Sequence, residues 1–403
     1  MQRNGARSFR RKIGRALITT VVGCFPLILL AALALEALWR PPLEEGASRR
    51  AETREQPAAE EAHFQFGRGF IGAGWRVYFN EPDPGAEQKS YAGGIEMALI
   101  NDIKETRKTL AIAAFELNSE PMYEAILAAH RRGVAVRIVT DDEHGLHDAK
   151  NDALRRLQQA GVALRDDGRS GLMHNKFMIM DGQRVWTGSL NYTVNGVYRN
   201  NNNILVMESA AAARAYQAEF DEMFDGGQFG PRSPDDGAFT FALGAGDVNI
   251  MFAPEADEVS LLIAEIEAAA RSIHLLAFVF SLEELSEAIL KRADDQRAGD
   301  FIVKGIFEKR NSTASWSQLP ALHCAGADMR QDGSPFVMHH KVIIIDEHTV
   351  ITGSFNYSKS AAERNDENIV VIRNETIAAL YLDEWRRVWD SALPVARAEV
   401  DCA

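Results

Sequence analysis

At 403 residues, with 46% hydrophobic and 25% charged residues, the chain has room for two domains of ordinary size and is globular, which excludes a disordered, collagen-like or mostly membrane-embedded polypeptide. The net charge of −13 is uneven: residues 1–50 hold nine Lys and Arg against three Glu, so the remainder carries −19. A body this acidic repels polyphosphate at long range, which argues against a nonspecific nucleic-acid binder and leaves room only for a local basic cleft.

In chain order, Arg3, Arg7, Arg10, Arg11, Lys12 and Arg15 precede an uncharged run from Ala16 to Leu35. Twenty helical residues at about 1.5 Å each span the hydrocarbon of a bilayer, so one membrane helix is expected. The basic flank keeps the amino terminus cytoplasmic and sends the body across, with Trp39 at the far interface. Cleavage after the small residues Ala32 and Ala34 would release a secreted form instead. Neither Val21-Val22-Gly23-Cys24, which runs on into apolar sequence, nor the Arg10-Arg11 pair makes a specific lipoprotein or twin-arginine signal. Residues 1–39 are thus read as basic terminus and anchor. Residues 40–66, rich in Pro, Glu, Arg and Ala at their start, are read as a flexible tether.

The body repeats itself. Met173–Val206 aligns without gaps onto Met338–Val371, with about 16 of 34 positions identical, and Ile103–Leu127 matches Ile266–Leu290. In the first copy, β-rich runs at 110–115, 134–140 and 176–181 alternate with helical patterns near 122–132 and 149–160, which predicts α/β structure. Val342-Ile343-Ile344-Ile345 lacks polar alternation and suits a strand buried on both faces. Loop formers from Gly230 to Gly237 mark the boundary, giving units at 67–232 and 233–395.

Each copy carries His-x-Lys, then Asp, then Gly-Ser-x-Asn at identical spacing: His174, Lys176, Asp181, Gly188, Ser189 and Asn191, and His339, Lys341, Asp346, Gly353, Ser354 and Asn356. His and Lys two apart on a strand project from one face and converge on one ligand. Two lysines neutralise the oxygens of a phosphodiester, and Ser and Asn groups add hydrogen-bond donors. One imidazole attacks phosphorus while the other, protonated, donates to the leaving oxygen; water follows, and no metal or other cofactor is needed. Asp181 and Asp346 end strands and are read as structural. Gly188 and Gly353 fit either a close backbone approach or an ordinary turn.

This pattern resembles the phospholipase D superfamily, over most of residues 70–395. The resemblance implies two α/β units about a pseudo-twofold, a site at their seam complete in a monomer, and a phosphohistidine intermediate formed without metal. The second copy, from Met338 through Asn365-Asp366-Glu367-Asn368, is similar to the bacterial endonuclease and mitochondrial cardiolipin hydrolase branch. Family members also place a carboxylate downstream to orient each catalytic histidine. Glu367 matches that position, whereas the first copy has Asn202. A carboxylate stabilises an imidazolium where an amide only orients it, which favours His339 as nucleophile. Two-motif phospholipases commonly use the first-copy histidine, which favours His174. The assignment stays open at this point.

The catalytic candidates are therefore His174, Lys176, His339, Lys341 and Glu367, with Ser189, Asn191, Ser354, Asn356 and Asn202 expected to bind substrate. Asp141-Asp142-Glu143-His144, with His147 and Asp148, is read as a solvated acidic loop rather than a metal site. His340 faces away from His339, and His323 is a helix-end or core residue. Cys24, Cys324 and Cys402 are too few for a disulfide framework and say little about compartment. The expected function is hydrolysis of a phospholipid headgroup ester at a membrane. Nuclease action on DNA or RNA, phosphatidyl transfer to an alcohol, and a phosphate-binding scaffold inactivated through Asn202 are the alternatives.

Overall fold

The computed structural model describes residues 59–82, 93–149, 152–295, 301–396, 399–400 and 402. The expected membrane segment and most of the tether lie outside them. Among the described residues no helix is long and apolar enough to cross a membrane.

The described chain builds two nine-stranded sheets within one compact unit. The first contains β1 (Glu60–Phe64), β2 (Gly67–Gly72), β3 (Trp75–Asn80), β4 (Thr109–Ala114), β5 (Ala135–Thr140), β6 (Ala163–Asp166), β7 (Lys176–Met180), β8 (Arg184–Gly188) and β9 (Asn203–Glu208), in the order β1-β2-β3-β9-β8-β7-β4-β5-β6. The second contains β10 (Phe239–Leu243), β11 (Gly246–Ala253), β12 (Ser272–Ala277), β13 (Ile302–Phe307), β14 (Asp328–Gln331), β15 (Lys341–Ile345), β16 (Thr349–Gly353), β17 (Glu367–Arg373) and β18 (Leu393–Pro394), in the order β10-β11-β17-β16-β15-β12-β13-β14-β18. The β2-to-β6 and β10-to-β14 orders superimpose, so the sequence repeat is a structural repeat. β1 is a correction: it starts at Glu60, inside the span read as tether, because its backbone pairs antiparallel with β2.

Parallel pairing of β4 with β5 and of β12 with β13 requires crossovers, supplied by helices Glu120–Arg131 and Glu283–Asp295. β7 and β15 are buried along their whole length, as their unbroken apolar runs demand. Each sheet packs an outer core of its own against its outer helices. The inner faces share a third core, in which Tyr216 and Phe220 of helix Ala210–Asp221 meet Tyr381 and Trp385 of helix Glu375–Ser391. Tyr216 packs edge-on to Phe252 of the second copy, and Tyr381 edge-on to Phe79 of the first. Burial of such large side chains fixes the two copies as one body.

Two pairs of positions lock the strand ends. Asp181 sits at φ 52° after β7 and accepts backbone N–H groups of Arg107, Lys108 and Thr109 at 2.9, 2.6 and 3.0 Å. Asp346, at φ 55°, does the same for Ala270, Arg271 and Ser272 at 2.7, 2.6 and 2.9 Å. Gly188 and Gly353 have φ of 144° and 136°, and a Cβ there would stand 2.3 and 2.2 Å from the carbonyl oxygens of Asn203 and Asn368. The close approach is thus to a neighbouring strand.

Cys324 and Cys402 form a disulfide, across a separation of 78 residues. This corrects the expectation that the cysteines are uninformative, since such bonds belong to oxidising compartments.

Candidate active site at the seam between the copies

Backbone bridges bring the two motifs together. His174 N donates to Asp366 O at 3.0 Å and Asp366 N to Leu172 O at 2.8 Å; His339 N donates to Asn201 O and Asn201 N to Val337 O, both at 2.9 Å. Each motif histidine is therefore stitched to the residue preceding position 202 or 367 of the other copy. The side chains follow. His174 Nδ1 lies 2.8 Å from Glu367 Oε2, and His339 Nδ1 lies 2.9 Å from Asn202 Oδ1.

This exchange overturns the argument that set Glu367 behind His339. The repeat is symmetric, but the orienting residue crosses the seam, so the carboxylate serves His174 and the amide His339. Asn202 Nδ2 donates to Gly196 O at 2.9 Å, which fixes its oxygen toward the imidazole. With an acceptor behind each ring, both Nδ1 atoms carry hydrogen and both Nε2 atoms are left for chemistry.

Ser189, Ser354 and Asn202, expected to touch substrate, form the layer behind the histidines instead. Ser189 Oγ donates to Asn202 Oδ1 at 2.9 Å and Ser354 Oγ to Glu367 Oε2 at 2.6 Å. Each hydroxyl also accepts a backbone N–H, from Asn203 and Asn368 respectively. Neither hydroxyl has a hydrogen left to donate to a phosphate oxygen. Asn191 and Asn356 each keep a buried side-chain oxygen with no hydrogen-bond partner, an acceptor rather than a donor toward phosphate oxygens, and Asn191 spends its amide nitrogen on Glu116 at 2.8 Å.

The lysines are symmetric. Lys176 Nζ donates to His174 O at 2.5 Å and Lys341 Nζ to His339 O at 2.8 Å, while each ammonium lies over an aromatic face, Phe115 at 4.9 Å and Phe278 at 4.6 Å. The same rings meet His174 and His339 edge-on at 4.8 and 4.7 Å. Lys176 and Lys341 are each 1% exposed. Burial pulls Lys176 down to about 7 and Lys341 well below its ordinary value, Lys341 also feeling Lys176. Burial lowers His174 to about 4 against the opposing pull of Glu367, and lowers His339 well below its ordinary value, with Lys341, Lys176 and His174 acting in the same direction. Burial acts to raise the Glu367 carboxyl, but His174, Lys176 and Ser354 outweigh it and hold it below the usual range. Two ammoniums, two imidazoles and one carboxylate crowded away from water form a site short of one anion.

Below this layer, Asn175 Nδ2 donates to Glu219 Oε1 at 2.9 Å, and its counterpart His340 places Nε2 3.0 Å from Glu384 Oε1. His340 is buried, with its Nδ1 3.0 Å from Asn203 Nδ2. Asp141 is not solvated as expected: it is buried and accepts from His144 N at 2.7 Å and Met173 N at 3.2 Å. Glu308 plays the same part for Met338 N at 2.8 Å. Two residues escaped the sequence reading. Glu116 accepts from Asn191 Nδ2 at 2.8 Å and interacts with Lys176; its counterpart in the repeat is Val279, so it has no symmetric signal. Arg169 crosses the seam to pair with Asp366, and nothing in the repeat marks it.

A family model described as "Cardiolipin synthase, PLD-like domain" matches residues 99–224 and again 262–389, well over half of the sequence. The chain belongs to the phospholipase D-like family. Among curated relatives, the mitochondrial cardiolipin hydrolase of Xenopus laevis is 37% identical over 127 residues, which cover 32% of this chain and 60% of that protein. The phospholipase D of Rickettsia prowazekii is 34% identical over 143 residues, 36% of this chain and 68% of the relative. This chain thus spans less than two thirds of the cardiolipin hydrolase it matches. Among solved structures, phosphatidylserine synthase of Haemophilus influenzae superimposes with a TM-score of 0.57 over 74% of this chain and 85% of that one, at 11% identity, a likeness of fold.

Proposed function

We propose that the protein is a metal-independent phosphodiesterase that hydrolyses a phospholipid headgroup ester through a phosphohistidine on His174. The observation that carries this reading is the 2.8 Å contact between Glu367 and His174 Nδ1. As His174 Nε2 bonds to phosphorus, the ring gains positive charge, and only this histidine has an anion behind it. Lys176 and Lys341 hold the non-bridging oxygens. The headgroup oxygen–phosphorus bond breaks as protonated His339 gives its proton to the departing alcohol. Neutral His339 then takes a proton from water, whose oxygen attacks phosphorus; the phosphorus–nitrogen bond breaks, and phosphatidic acid leaves with His174 restored. A bound phosphodiester anion raises the basicity of His339, which burial and the neighbouring lysines suppress. Because Asn202 still orients His339, the amide is compatible with turnover, against the scaffold alternative.

A lipid substrate is supported by the names of the two relatives and by the acidic Asp142-Glu143 that follows Asp141, whose carboxylate holds the Met173 backbone next to His174, since such charge would repel a continuing polyphosphate chain. Membrane anchorage with an extracytoplasmic body belongs to the same proposal; the basic-then-apolar N-terminal segment and the Cys324–Cys402 disulfide support it. One chain supplies both halves of the site.

The test uses a p-nitrophenyl phosphodiester, whose leaving group needs no proton. With radiolabelled phosphorus and a quench in denaturant at alkaline pH, because the phosphorus–nitrogen bond is acid-labile, His339→Ala should still give a burst and a labelled His174 peptide, and His174→Ala should give neither. A burst confined to His174→Ala reverses the roles. In EDTA, phosphatidylglycerol vesicles should lose glycerol while plasmid stays intact. Nicking without headgroup release would establish the nuclease instead, and exchange into added alcohol without hydrolysis the transferase.

A further inference from the structure

We propose that the loop from Lys309 to Ser317, presenting Lys309, Arg310 and Trp316, docks the seam onto an anionic lipid surface. This rests on the lipid reading above and adds the element that delivers the site to its substrate.

The loop begins beside the site. Glu308, the residue before it, accepts the backbone N–H of Met338 at 2.8 Å, and Met338 precedes His339. The loop is built rather than slack. Ser312 donates to Lys309 O through its hydroxyl at 3.1 Å and accepts from Gln331 Nε2 at 2.9 Å; Ser317 N donates to Ala314 O at 2.9 Å. Ser312 and Ser317 are buried and pin the loop, while Ser315 is exposed. Facing out are Lys309, Arg310, Asn311, Ser315 and Trp316, of which Lys309 and Arg310 carry charge and Trp316 is the one large apolar side chain. Trp316 is 46% exposed, whereas Trp75, Trp186 and Trp385 are at most 5% exposed. Arg310 keeps its side chain 64% exposed although its Nε lies 3.6 Å from Glu308.

The repeat supplies an internal control. In the first copy Asp141 bonds Met173 N as Glu308 bonds Met338 N, and the next two residues are Asp142 and Glu143 rather than Lys309 and Arg310. The same backbone position around the pseudo-twofold is acidic on one side and basic on the other. On a body of charge −19, this loop joins two outward cations to an exposed indole within eight residues of chain. Indoles settle at the headgroup level of a bilayer, and basic residues there are attracted by anionic lipid. The docked molecule therefore leans on its second copy, with the acidic first-copy rim held off the surface.

The full chain in neutral detergent micelles should hydrolyse long-chain phosphatidylglycerol about thirtyfold more slowly when Lys309→Ala and Arg310→Ala are combined, since each cation contributes roughly a factor of five at such a surface. Adding Trp316→Ala should deepen the loss. Activity on dihexanoyl phosphatidylglycerol below its micelle concentration should stay within twofold. Brominated phosphatidylglycerol should quench the full chain more than Trp316→Phe. Equal losses on micellar and monomeric lipid, or no loss on either, overturn the docking role. If the unaltered protein cleaves neither form, it is the lipid reading that fails, and unquenched Trp316 emission on lipid-bearing micelles overturns the docking by itself.

Discussion

Replacing Glu367 by Gln keeps a hydrogen-bonding group behind His174 but removes the charge that balances its ring, and lets the amide offer either atom to Nδ1. We expect kcat to fall by about 10³, the scale on which orienting carboxylates act. Asn202→Ala, which removes only an orienting acceptor from His339, should cost about tenfold. Equal losses in single-turnover measurements would contradict the unequal roles. The lysines make a second prediction at this scale. Burial lowers the pKa of Lys176 to about 7, so the free protein loses that charge as the pH rises through about 7. A bound phosphodiester favours the charged form and opposes the loss. Consequently kcat/KM, which reports the free protein, should fall above pH 7 while kcat holds. A kcat/KM flat from pH 7 to 9 would show that Lys176 stays charged. For stability the sign is opposite: between about 7 and the unfolded value near 10.5 the unfolded chain binds more protons, so this lysine's cost to folding diminishes as pH rises.

β7 and β15 carry the motif lysines, and what holds their ends is an aspartate in left-handed conformation collecting three N–H groups. Asp181→Ala removes those acceptors at a partly exposed turn and places a β-carbon residue without a side-chain partner at φ 52°. A destabilisation of about 2 kcal/mol is expected from urea midpoints, with kcat per folded molecule unchanged within threefold. A large loss of kcat at full folding would move Asp181 into the chemistry. Such strands were legible in the sequence because an apolar run without alternation, ended by Asp and followed by Gly-Ser-x-Asn, recurs in both copies. The exchange across the seam was not. Glu367 follows Asp366, whose backbone pairs with the first copy, and no spacing within one copy reveals a partner supplied by the other. For the same reason Ser189 and Ser354 read as substrate donors until β9 and β17 were seen to take their hydroxyls, and β1 read as tether until β2 was seen beside it.

At the scale of the whole molecule, two sheets share one inner core and enclose one site, so neither copy can shift without moving an imidazole away from its orienting residue. The repeat made the duplication readable, but the closing element was invisible: Cys402 lies beyond the repeat and 78 residues from Cys324, too far for any spacing rule. The bond ties the C-terminal end to helix Leu319–Cys324, which follows the docking loop and precedes β14. It restrains a long loop of the unfolded chain and should contribute about 2–4 kcal/mol. Cys324→Ser should therefore lower the urea midpoint, as should reduction of the unaltered protein, and reduction should do nothing further to the variant. Since the bond lies apart from the histidines, kcat on a monomeric phosphodiester should survive reduction below the unfolding transition. Protein made in an oxidising compartment should resist alkylation at Cys324 and Cys402 until reduced. Free thiols at both positions in protein recovered from its native membrane would put the body on the reducing side and remove the disulfide from the case for an extracytoplasmic enzyme.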